Sequence, residues 1–60
     1  MSKTVRLTIE TDNAAFDDGN RDHEVARILR VAADRIENGS QDDFGLYDFN
    51  GNKVGNLTTG

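Results

Sequence analysis

Three groups of residues in this 60-residue chain have types and spacings that suggest chemistry. Asp48-Phe49-Asn50-Gly51-Asn52 opens like a calcium-binding loop, in which oxygen ligands at alternate positions wrap a hard cation. The pattern then stops. The sixth position, which needs glycine for a sharp turn, is Lys53, and the twelfth, which needs a bidentate glutamate, is Thr59. A hairpin turn braced by its own Asp and Asn side chains accounts for the same residues. His23 is the single histidine, flanked by Asp22 and Glu24. A nucleophilic arrangement would need a hydroxyl held against it in a shaped pocket, and Ser2 and Ser40 stand in no such context. Asp17-Asp18 and Asp42-Asp43 are paired carboxylates, but acid–base chemistry needs surroundings that set two carboxyl groups apart, and both pairs lie in polar stretches. The expectation is therefore no catalytic residue, no metal, no cofactor and no enzyme activity.

Composition narrows the class further. The chain is 35% hydrophobic and 30% charged, with a net charge of −4. Five arginines and two lysines stand against eleven acids, which argues against direct nucleic-acid binding, because that depends on cations neutralising phosphates. No apolar run approaches the roughly 18 residues of a membrane span. Met1–Arg6 contains no apolar core of a secretory signal. Cysteine is absent, so neither disulfides nor cysteine-bound zinc can staple the fold. Residues 1–60 read as a single domain. A chain this short buries only about 60% of its unfolded surface, which leaves little room for an enzyme pocket and favours a binding or inhibitory module.

The elements that must position these residues are legible in the patterning. Residues 3–11 alternate, with Val5, Leu7 and Ile9 on one face, as a half-buried strand does. Thr11-Asp12-Asn13 carries turn chemistry, and Phe16-Asp17-Asp18-Gly19-Asn20 reads as a loop. Over residues 22–38, Val25, Ile28, Leu29, Ala32 and Ile36 recur at helical spacing, with Val31 off the stripe. Asn20 or Asp22 suits the N-cap, Gly39 suits the left-handed residue past the C-terminus, and Arg30 and Asp34 are spaced to pair. Phe44–Phe49, Asn50-Gly51 and Asn52–Leu57 form a hairpin pattern. A two-residue loop pairs Asp48 with Lys53 and Phe44 with Leu57, whereas a three-residue loop with Gly51 in a bulge pairs Leu46 with Val54. Thr58-Thr59-Gly60 is expected to fray. The predicted fold is α+β, in the order βαββ: a three-stranded antiparallel sheet with the third strand central and one helix packed on one face. The expected core is Val5, Leu7, Ile9, Val25, Ile28, Leu29, Ala32, Ile36, Leu46 and Val54, with Phe16 and Phe44 as lids.

The charge is segregated along the chain. Residues 10–24 carry −5, from Glu10, Asp12, Asp17, Asp18, Asp22 and Glu24 against Arg21. Residues 37–48 carry −4, from Glu37, Asp42, Asp43 and Asp48, while residues 25–36 between them carry +2. In the βαββ arrangement Asp12, Asp17, Asp18, Asp22, Glu24 and Asp48 gather at one end, and Glu37, Asp42 and Asp43 at the other. A concentrated negative field steers a basic partner surface.

Thr11-Asp12-Asn13-Ala14-Ala15-Phe16, then Glu24–Arg30 with Ala33–Glu37, then Asp48–Gly55 resemble segments of a group of small proteins encoded by bacteriophages and prophages. The resemblance covers nearly the whole chain. Small acidic phage domains are similar in turn to anti-CRISPR proteins, several of which imitate DNA. What the resemblance implies is an inhibitor of a type I CRISPR effector, acting in the cytoplasm of the infected bacterial host. Asp12, Asp17, Asp18, Asp22, Glu24 and Asp48 would bind a basic, DNA-recognising surface of an effector subunit in place of phosphates. The expected state is a monomer. The alternative is a phage accessory interaction module without DNA mimicry, possible as a dimer, using Val31, Tyr47 or Phe49 as its contact.

Overall fold

The structure, a computed structural model, describes residues 4–39 and 43–60. Lys3 and the link Ser40-Gln41-Asp42, on which parts of the strand and acidic-end expectations fell, lie outside the described residues. The element order is β1 (Val5–Ile9), a 3-10 turn (Ala14–Phe16), α1 (Arg21–Glu37), β2 (Phe44–Tyr47) and β3 (Lys53–Thr59). The three strands form one antiparallel sheet in the order β1-β3-β2, so the third strand is central and the helix packs with the sheet as expected.

Both candidate hairpin registers are used, one next to the tip and the other over the rest of the ladder. At the tip, Gly51 is left-handed (φ 85°), its N–H donates to the Asp48 carbonyl (3.0 Å), and the Asp48 N–H donates to the Asn52 carbonyl (2.9 Å). That is a three-residue loop with a bulged glycine, and Tyr47 accordingly faces Lys53. Between Leu46 and Tyr47 the pairing shifts by one, leaving Val54 as the extra residue of a bulge. Beyond it Leu46 faces Gly55 and Phe44 faces Leu57, the register of the two-residue loop. The expected pairs Leu46–Val54 and Asp48–Lys53 are therefore not formed. The bulge keeps Leu46, Val54 and Leu57 all buried, which neither uniform register would do.

Leu7 faces Leu57 across the β1–β3 ladder, and Ile9 faces Gly55. Glycine is required at 55, because a Cβ there would run into the Thr8 carbonyl oxygen. The C-terminus does not fray. Thr4 and Gly60 exchange both backbone hydrogen bonds (2.7 and 2.9 Å), which extends the ladder one residue past β3.

The core consists of Ala15, Phe16, Ile28, Ala32, Phe44, Leu46, Val54 and Leu57, with Leu7, Ile9 and Val25 packed against it. Ala15 and Leu57 replace three expected members. Val5, Leu29 and Ile36 are 64%, 43% and 47% exposed. The reason is the lateral position of the helix. Its backbone comes closest to β2 and the 3-10 turn. The flank bearing Arg27, Val31 and Arg35 faces β2, where Arg27 donates to the Tyr47 carbonyl (3.1 Å) and the Arg35 guanidinium lies 4.1 Å over the Phe44 ring. The opposite flank, with Leu29 and Ile36, is left beside β1.

The helix ends follow from local chemistry. Asn20 holds the N-cap position but makes no side-chain cap bond; its carbonyl accepts from Glu24 N–H (2.9 Å). Gly39 takes the left-handed conformation past the C-terminus (φ 99°), and Asn38 donates its amide to the Asp34 carbonyl (2.9 Å). Arg30 and Asp34 do not pair; the ion pairs among the described residues are Arg21–Asp22 and Glu24–Arg27. No helix among the described residues is long and apolar enough to cross a membrane.

Candidate functional site

The six carboxylates expected to form one acidic face divide into two sets. Asp12, Asp17, Asp18 and Asp22 are exposed. Glu24 and Asp48 are 3% and 4% exposed and turn inward, so they do not belong to a docking face.

Asp48 is held by the turn that it begins. Its Oδ1 accepts from the Asn50 and Asn52 backbone N–H groups (both 2.9 Å), and its Oδ2 accepts from the Asn13 amide (2.8 Å) and, at longer range, the Asn52 amide (3.4 Å). Burial disfavours its charge, but the Asn52, Asn13 and Asn50 donors together outweigh that and hold its pKa below the ordinary 3.8. The carboxylate that a calcium loop would offer to a cation is thus folded back on its own backbone. Among the described residues no group of three His, Asp or Glu side chains is placed to hold a metal ion.

Glu24 lies on the buried side of the first helical turns. Its carboxylate accepts both Nε and Nη2 of Arg27 (2.8 Å each), and Oε2 also accepts from Phe49 N–H (2.8 Å). The Arg27 bonds hold the Glu24 pKa below 4.5, against burial and the nearby Asp48 charge. Glu24 in turn raises the Arg27 pKa above its ordinary value. Glu24 and Arg27 therefore grip the hairpin from the helix, one at Phe49 N–H and the other at the Tyr47 carbonyl.

Asn13, a turn residue by its sequence context, ties the network together. Its Oδ1 accepts from Ala15 N–H (2.9 Å) and caps the 3-10 turn, while its Nδ2 reaches Asp48 across 35 residues of sequence. The Asx-type cap was legible in Asn13-Ala14-Ala15; the distant acceptor was not.

The exposed set rides on the segment from the end of β1 to the first turn of α1. Asp17 begins a reversal in which Asp18 and Gly19 are both left-handed (φ 58° and 79°) and Asn20 N–H donates to the Asp17 carbonyl (3.1 Å). Asp is one of the few residues that tolerate this conformation. The reversal turns the chain into the helix and leaves Asp17 and Asp18 at its tip. Asp22 accepts from Arg21 Nε (3.1 Å), with both side chains well exposed, an ion pair of little weight in water. His23, in the same turn, is exposed.

At the other end of the sheet, Asp43 accepts from the Thr59 N–H (2.8 Å) and hydroxyl (3.3 Å) and so anchors the start of β2 to the end of β3. Glu37 is exposed, and Asp42 lies outside the described residues.

Comparison of the chain with protein-family models, with curated proteins and with solved structures finds no match.

Proposed function

We propose that this protein is a binding inhibitor that occupies a basic, nucleic-acid-facing surface of a partner protein. The observation that carries the reading is the exposure of Asp12, Asp17, Asp18 and Asp22 on one short segment, while the other two acids of that end are withdrawn into the fold. Exposed carboxylates on a braced loop meet Lys and Arg side chains as phosphates do, through charge-assisted hydrogen bonds. The hairpin network supports the segment from beneath through the Asn13–Asp48 bond, so its ordering cost is met on folding and not on docking. In the phage setting that the sequence resembles, the partner is the DNA-reading subunit of a type I CRISPR effector in the infected host, and occupation of its groove excludes target DNA.

The test is inhibition of target-DNA binding by purified effector, with wild-type protein and an Asp17→Lys/Asp18→Asn variant. Asparagine is chosen at 18 because it tolerates the left-handed backbone, so the variant keeps its fold. Wild-type inhibition should weaken as the screening length falls from about 10 Å at 0.1 M salt towards about 3 Å at 1 M. The folded variant should not inhibit. Full inhibition by a folded variant, or inhibition indifferent to salt, overturns the docking surface. Exposure of Val31, Tyr47 and Phe49 supports the second reading, an apolar interaction module, which predicts salt-insensitive binding lost on Phe49→Ser.

A further inference from the structure

Three of the exposed apolar residues, Val5, Leu29 and Ile36, share the β1 side of the molecule by their places on the elements. Val5 stands on the helix-facing side of β1 in line with Leu7 and Ile9, and Leu29 and Ile36 stand on the flank of α1 turned away from β2. Ala26 and Ala33 continue that flank towards solvent, so the uncharged arc of the helix is wider than one layer of packing uses. Beneath it, β1 is an edge strand. Thr4 and Glu10 point their backbone groups at β3, through Thr4–Gly60 and Glu10 N–H to the Val54 carbonyl (2.7 Å). By strand alternation Arg6 and Thr8 do the same, which leaves the N–H and C=O groups of Val5, Leu7 and Ile9 facing outward, without partners among the described residues, beside an apolar surface.

We infer that this edge and flank form a self-association surface whose occupant is a second copy of the same chain, joined β1 to β1 in antiparallel register about Leu7. Outward-facing residues in an antiparallel ladder pair with outward-facing residues. The register that uses all of them sets Leu7 opposite its own copy and Val5 opposite the copy's Ile9. A two-fold axis through Leu7 makes the contact self-complementary and closes the assembly at two. The charges agree with that register. On the open face of the sheet Arg6 then stands opposite the copy's Thr8, diagonal on one side to its Glu10, a relation that occurs twice, and on the other side to its Arg6, a relation that occurs once at the axis. No like charges stand directly opposite each other across the joined strands, and the two Arg6–Glu10 diagonals outnumber the single Arg6–Arg6 diagonal. On the other face, the exposed Val5 side chains meet the partly buried Ile9 side chains, and the two Leu29 and Ile36 flanks look at each other across the joined sheet. A six-stranded sheet results, with its edges moved out to the two β2 strands.

The test is the solution mass of the full chain over a range of concentrations, by light scattering after size exclusion. The expected mass is twice 6.6 kDa, falling to 6.6 kDa on dilution. Val5→Lys and Leu29→Glu, at exposed positions, should each give monomer with an unchanged circular dichroism spectrum. Arg6→Glu should weaken the dimer about 2- to 30-fold, and Arg6→Glu/Glu10→Arg should restore it, because the exchange rebuilds both diagonal pairs. A wild-type chain that stays monomeric at millimolar concentration overturns the proposal and leaves the surface to a different partner. A dimer unmoved by Val5→Lys overturns it too, and failure of the double exchange to rescue overturns the register.

Discussion

The hairpin end of the molecule and the segment that leads into the helix carry the same kind of residue and treat it in opposite ways. Asp48 and Glu24 are buried, each with at least three donor contacts; Asp12, Asp17, Asp18 and Asp22 are exposed, and among the described residues only Asp22 of these four has a cation beside it. Acidity does not decide which fate a residue meets. The supply of directed N–H groups does. A turn aims the Asn50 and Asn52 backbone N–H groups at Asp48, and the hairpin offers Phe49 N–H to Glu24, so both carboxylates can leave water without losing their partners. The 12–22 segment aims no such donors at its acids. One region therefore uses carboxylates to hold helix, hairpin and loop together, and the other leaves its negative charge for a partner.

The widest break in this comparison should come from Asp48→Asn. The carboxylate accepts from four donors through two oxygens, whereas the amide has one acceptor oxygen, and its NH2 would point at the Asn13 or Asn52 amide. Urea denaturation should show the largest loss of stability among isosteric changes at any acid in the chain. Glu24→Gln should come next, at about 1–3 kcal/mol, since Arg27 keeps its charge and loses the opposite one, and an NH2 replaces an oxygen that accepts from Arg27. An equal and small effect of Asp48→Asn and Asp12→Asn would erase the distinction between the two regions.

Acid should destabilise the fold through Glu24 and Asp48. The folded pKa values of Glu24 and Asp48 lie below their ordinary 4.5 and 3.8. A depressed carboxylate contributes stability that is fully present above its unfolded pKa and is lost as pH falls through its folded one. The urea midpoint should thus be flat from about pH 7 to about pH 5 and drop below about pH 4. The drop should be shallower in Glu24→Gln/Asp48→Asn. The same drop in the wild type and the double variant would mean that other groups carry the acid sensitivity.

Why the sequence revealed the fold better than the division of its acids follows from the range of the interactions. The alternation of Val5, Leu7 and Ile9, the helical spacing of Val25, Ile28 and Ala32, and Asn50-Gly51 are local signals, and from them the βαββ order and the central third strand could be read. The fates of Glu24 and Asp48 depend on Phe49 N–H and Asn13 Nδ2, 25 and 35 residues away, which no periodicity encodes. A single pairing rule makes the two hairpin registers alternatives; the bulge at Val54 admits each over its own part of the ladder. The core was misjudged at Val5, Leu29 and Ile36 for a related reason. Spacing tells which face of a helix is apolar, but not how far across the sheet the helix sits.

The smallest effect should come from the tip of the exposed segment, and its smallness is informative. Asp18 has φ 58°, where most side chains are strained and Asn or Asp least so. Asp18→Asn changes the charge and keeps the conformational preference, so its unfolding free energy should stay within about 0.5 kcal/mol of wild type. Asp18→Val also removes the charge but forces a β-branched residue into the left-handed region, and should cost more. If the two variants were destabilised alike, the carboxylate itself would be supporting the fold, and Asp18 would belong with Asp48. If only valine is penalised, the loop holds its shape through backbone geometry, and its charge is free to be changed without loss of fold, as a docking residue's must be.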